Sequence, residues 1–182
     1  MRYKNLEAPR KSIVIGIFII FLVGSLMHFL YEITGNNPFV GSIAPVNESV
    51  WEHLKMLPLP MIGWWFIYYI LRVDKYSIDK NKWFTSALIA LVTSIITIPL
   101  LYYFYTEAFG VEIVIVDILI LFIAVLIGQL LGLYSYKNKN GINSTVAICI
   151  ILLIVIVFVI FTFYPPQLPL FKDTSTGLYG IQ

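Results

Sequence analysis

The sequence predicts an all-α integral membrane protein, a five-helix bundle. Three observations carry that expectation. Of 182 residues, 59% are hydrophobic and only 12% charged, where a soluble domain has roughly 45–50% apolar and about 25% charged residues. The apolar residues collect in five runs near the ~20 residues that cross a bilayer, and the mean hydropathy is +0.87. The basic residues fall almost entirely between alternate runs. A net charge of +2 without a basic stripe argues against a nucleic-acid partner. The lone Cys149, inside an apolar run, excludes an intramolecular disulfide, a CxxC pair and a Cys-rich zinc site.

The first span is placed at about 12–33, after a basic start of Arg2, Lys4, Arg10 and Lys11. It is long for a signal sequence and lacks a small-x-small cleavage site, so it reads as an uncleaved anchor. The second is placed at about 51–71. Met56 to Leu71 alone is a turn short, and extension back to Trp51 brings Glu52, His53 and Lys55 to the boundary. Asn47 is expected to cap that helix, with Glu48 in its first turn and Pro58 and Pro60 bending it. Spans three, four and five follow at about 84–105, 111–133 and 142–164. Pro165 and Pro166 stop the last helix, leaving a tail at 165–182. One membrane domain, 1–182, is the expected organisation.

Basic residues set the orientation. Ten of the twelve lie on one side of a five-span chain: the four at the start, then Arg72, Lys75, Lys80, Lys82, Lys137 and Lys139. Lys55 and Lys172 lie on the other. This predicts a cytoplasmic N-terminus and an external C-terminal tail, and Trp and Tyr residues mark both boundaries.

Seven of the ten acidic residues and both histidines then fall at or near the outer face. His28 and Glu32, four apart, share a helical face with Gly24. Glu48 and Glu52 are also four apart. Asp117 lies about six residues inside span four and heads a stripe of Ala124, Gly128 and Ser135. Ionisable groups at such depth face the bundle interior and find partners. The expected centre is a pocket between spans one, two and four lined by His28, Glu32, Glu48, Glu52, His53 and Asp117, with loop 34–46 and the tail over it. Leu168, Leu170 and Phe171 would pack the tail down as a lid. Each feature also has a plain reading: His28–Glu32 as a stitch between helices, Glu48 and Glu52 as solvated first-turn carboxylates, Thr93, Thr97 and Trp64–Trp65 as packing.

His28, Glu32, Glu52 and His53 supply the ligand types of a divalent metal such as zinc, although no HExxH is present. Ser49, four before His53, is the one hydroxyl nucleophile suggested. The Asn47-Glu48-Ser49 triplet matches a glycosylation acceptor but reads better as a helix cap.

The run His28-Phe-Leu-Tyr-Glu32, the segment PVNESVWEHLK (45–55) and the closing PPQLPLFKDTSTGLYGI (165–181) resemble the signature of a family of small multi-pass membrane proteins of unknown function from Gram-positive bacteria. The resemblance spans nearly the whole chain and implies a bacterial cell membrane without supplying a mechanism. Seven-span zinc hydrolases such as alkaline ceramidases hold their metal with three histidines; two histidines and five spans depart from that pattern. Three functions fit the residues. First comes an accessory or structural membrane protein, its protein partner or small-molecule substrate unspecified. Second is a metal-assisted hydrolase or transferase acting on a lipid or envelope substrate. Third is a proton-coupled transporter, for which the inner half offers only Gln129 and scattered hydroxyls as a path.

Overall fold

The computed structural model describes residues 2–181, with side chains from residue 7 onward. The side chains of Arg2 and Lys4, and Gln182 at the end of the tail, lie outside the described residues. Among the described residues the regular elements are helical: α1 (Arg2–Met27), α2 (Leu30–Ile33), α3 (Pro38–Gly41), α4 (Val50–Leu54), α5 (Pro58–Tyr76), α6 (Lys80–Phe109), α7 (Val114–Asn138) and α8 (Ser144–Phe163), then a 3-10 turn at Pro169–Phe171. Among the described residues five helical segments are long and apolar enough to cross a membrane: Glu7–Met27, Val50–Tyr76, Lys80–Phe109, Val114–Asn138 and Ser144–Phe163.

Helix ends follow capping chemistry more than the edges of the apolar runs. Asp79 accepts from the Lys82 amide at 3.0 Å, so α6 begins before the expected 84. Gly110, at φ +66°, ends it in the left-handed conformation that glycine adopts freely. Asn143 caps α8 through the Thr145 amide at 2.8 Å.

Two expected spans are interrupted. Span one does not run on to 33: after Met27 the amides of His28 and Phe29 make only long bonds to Ser25 and Leu26, at 3.4 and 3.3 Å. Span two is not one bent helix; it breaks at 55–57 and restarts with Pro58 at its first position, where the missing N–H costs nothing. Span four starts at Val114, not 111.

α6 packs along α7 and also touches α5 and α8, while α1 lies against α5 and α7. The α6–α7 seam is close because its residues are small. Ser94 Oγ lies 2.9 Å from the carbonyls of both Ala90 and Ala124, and a Cβ on Gly128 would stand 2.5 Å from Ala90 O. At the end of the bundle that holds the start of α6, aromatic rings fill the space. Trp65 and Trp83 meet at 4.5 Å, Trp83 Nε1 donates to Trp65 O at 2.9 Å, and Tyr68 and Tyr136 pack against Trp83. The titratable residues of interest gather at the other end.

Candidate functional site

Three elements bring two imidazoles to one carboxylate. Gly24 lets α1 touch the break in span two: a Cβ there would lie 2.7 Å from Met56 O. His28, just past the end of α1, therefore stacks on His53 of α4, with ring centres 5.2 Å apart and planes at 20°. Glu48 precedes α4 and is anchored from the tail, where Thr174 Oγ1 donates to Glu48 O at 3.3 Å and Asn47 Nδ2 to Gly180 O at 3.0 Å. Its Oε1 stands 3.7 Å from His28 Nε2 and its Oε2 3.4 Å from His53 Nε2. One ligand atom from each of the three residues falls within 4.8 Å of the others.

The state of this cluster turns on one proton. His53 Nδ1 lies 2.9 Å from the Ser49 carbonyl, which only accepts, so that nitrogen carries hydrogen. In neutral His53 the Nε2 lone pair then faces the Glu48 carboxylate, acceptor against acceptor. A proton or a metal cation between them removes the conflict. The hydrogen bond from His53 holds the Glu48 carboxyl below its ordinary value, against the opposing effect of burial. Burial, then the neighbouring His53, pushes His28 below the usual histidine value and toward the neutral form that binds metals.

These groups form the polar end of a cavity of about 770 Å³. Asp117, Tyr102, Glu112 and Thr174 also line it, and Phe21, Leu22, Val50, Met56, Ile98 and Leu121 supply apolar wall. Asp117 lies in the first turn of α7 and not six residues in. It accepts from Tyr105 Oη at 2.7 Å, while Tyr105 Oη receives the Ile113 amide at 3.2 Å. Tyr102 Oη donates to Glu112.

Of the six residues singled out in the sequence, four line the cavity: His28, Glu48, His53 and Asp117. Glu32 is exposed on α2, because the break after Met27 turns it off the His28 face. Glu52 is 2% exposed and points away, to Lys55 Nζ at 2.5 Å and the Val46 amide at 3.0 Å. The four expected metal ligands thus do not converge; Glu48 stands where Glu32 and Glu52 were expected. The reason is the cap. Ser49, not Asn47, starts α4, its Oγ accepting from the Glu52 amide at 3.2 Å. That hydroxyl is buried and His53 meets the Ser49 carbonyl, an arrangement unlike a serine–histidine nucleophile pair. Loop 34–46 supplies no cavity wall; Gly41 instead accepts from Lys55 Nζ.

The tail covers the site through Thr174. Phe171 is its buried anchor, its ring tilted against Trp51 at 4.6 Å, whereas Leu168 is exposed. Asp173 binds the loop together, accepting from Ser175 N, Ser175 Oγ and Thr176 Oγ1 at 2.9, 2.8 and 2.6 Å. Burial raises its carboxyl, but these bonds outweigh that and hold it below the ordinary aspartate value. Tyr102, Tyr105, Glu112 and Thr174 escaped the sequence reading. The tyrosines looked like membrane-boundary aromatics, and only their three-residue spacing on α6 hints at one shared face.

The family of unknown function DUF6512 matches residues 1–181. The chain belongs to that family. No curated protein matches this DUF6512 member, and no solved structure does either.

Proposed function

We propose that this DUF6512 protein is a membrane hydrolase or transferase that works with a divalent cation such as zinc, held by His28, Glu48 and His53. The observation that carries the reading is the convergence of two imidazole Nε2 atoms on one carboxylate, with His53 oriented from behind by a backbone carbonyl. A hydrogen bond from the other ring nitrogen to a carbonyl fixes the tautomer of a metal-ligating histidine. Three protein ligands leave a coordination position for water or substrate, and here it would face the cavity. Such a cation polarises a carbonyl or phosphoryl group and makes its bound water a nucleophile near neutral pH. The water oxygen bonds to the carbonyl carbon or phosphorus and the bond to the leaving oxygen or nitrogen breaks. The proton released by water finishes on the leaving group. Asp117, a second carboxylate on the same wall, is the group suited to carry it.

The distribution of Lys and Arg supports an N-terminus in the cytoplasm and the site at the external face. A transport path would have to pass the Trp65–Trp83 packing at the opposite end.

Purified protein, extracted without chelator, is expected to hold near one divalent cation per chain by elemental mass spectrometry. The His28→Ala/His53→Ala variant is expected to hold none while keeping its helical circular dichroism. Absence of metal from the parent protein after incubation with zinc, manganese or iron(II) would overturn the assignment.

A further inference from the structure

The cavity is lined in part by side chains that also face the bilayer. Leu22 of α1 is 56% exposed, and Val114 and Ile118 of α7 are 73% and 49% exposed, yet all three border it. Its wall is therefore continuous with the lipid-facing surface, and its mouth lies between α1 and α7. Farther along the same seam the two helices are closed by aromatic contact, Phe122 meeting Phe21 edge-on at 5.3 Å and Phe18 at 6.2 Å. The slot thus has an aromatic floor, apolar sides and a polar ceiling. On α1 its one hydroxyl, Ser25 Oγ, donates to Phe21 O at 2.9 Å and is turned back on its own helix. A fully polar solute finds no hydrogen-bond partners along such walls, whereas an acyl chain enters at little cost, exchanging one apolar surrounding for another with its polar linkage at the far end.

We propose that the slot takes one acyl chain of a membrane lipid, sideways from the bilayer, and presents the chain's carboxyl linkage to His28, Glu48 and His53. At ~30 Å³ per water-sized group, a cavity of about 770 Å³ has space for one chain and its linkage. The placement of the linkage rests on the reading of the cluster as a reaction centre; occupation of the slot by the chain does not.

The test uses the full-length protein in vesicles of phosphatidylethanolamine and phosphatidylglycerol, doped either with phosphatidylglycerol bearing an acyl-chain diazirine or with a diazirine fatty acid. After illumination, adducts mapped by mass spectrometry are expected to concentrate several-fold on Phe21, Leu22, Ile118 and Leu121 over the exposed Ile67 and Leu153. Leu22→Trp/Ile118→Trp, which fills the mouth, is expected to abolish the enrichment. Excess unlabelled phosphatidylglycerol gives the same readout without substitution. Enrichment with the phospholipid identifies an ester-linked chain as ligand, and enrichment with the fatty acid alone identifies the free acid. An even spread over lipid-facing residues, insensitive to tryptophan, overturns the proposal even if metal is present. Enrichment that persists in a protein that never takes up metal upholds it and sinks the metal reading alone.

Discussion

Two ionic groups share the segment from Glu48 to Lys55, one of them completed by His28, and have opposite characters. Lys55 and Glu52 are both 2% exposed and fully satisfied: Lys55 Nζ reaches Glu52, Gly41 O at 2.6 Å and Thr162 Oγ1 at 2.8 Å, and Glu52 also receives the Val46 amide. His28, Glu48 and His53 are partly exposed, and His28 Nδ1 has no hydrogen-bond partner. The first group ties α4, the loop before it and α8 into one piece at the break in span two. The second faces open volume. Burial with complete pairing is the mark of a structural charge, and convergence without complete pairing marks a site.

The sharpest way to break that contrast is Lys55→Met. It leaves the Glu52 carboxylate buried without its cation, so a loss of ~3–5 kcal/mol is expected, read as reduced yield and a lower Tm in detergent. Adding Glu52→Gln should restore much of it. A near-neutral single variant would show that the pair is not structural.

Asp173 gives an intermediate effect, on the tail alone. Because its carboxyl is held below the ordinary aspartate value, its contribution is complete above about pH 4 and is lost as pH falls through the depressed value. Resistance of the tail to limited proteolysis should therefore be flat from neutral pH to about pH 5 and fall in stronger acid. Asp173→Asn should be weaker by about 1 kcal/mol at neutral pH and should lose that dependence. An unchanged acid profile in the variant would detach Asp173 from tail docking.

Glu48→Gln should change stability least, by no more than about 0.5 kcal/mol, since no satisfied buried network is lost. The same substitution should remove most of the bound metal. A large fall in Tm would turn the second group into a structural one and erase the distinction.

The hydropathy pattern made five spans legible, because apolar length is a direct consequence of bilayer thickness. The breaks were not legible. A proline two or three residues into an apolar run reads equally as a kink or as the first position of a new helix, and Pro58 proved to be the latter. The carboxylate assignment depended on a similar subtlety. Moving the cap from Asn47 to Ser49 is a shift of two residues, roughly 200° around a helix, and it leaves Glu48 outside α4 altogether. His28, His53 and Asp117 could be picked out as titratable groups in apolar surroundings. The convergence of the two histidines on Glu48 depends on the close approach at Gly24 and on a tail that returns to Asn47 across 133 positions, neither of which has a periodic signature.

That returning tail carries a practical corollary. Gly180 is pinned by Asn47, its φ is +71°, and a Cβ there would come within 3.0 Å of Pro165. A purification handle or fluorescent reporter fused downstream is consequently leashed at the end of the bundle that holds the cavity, where a bulky one without a spacer will strain the docked tail. Cargo attached ahead of α1 sits at the far end of the bundle and leaves the mouth free.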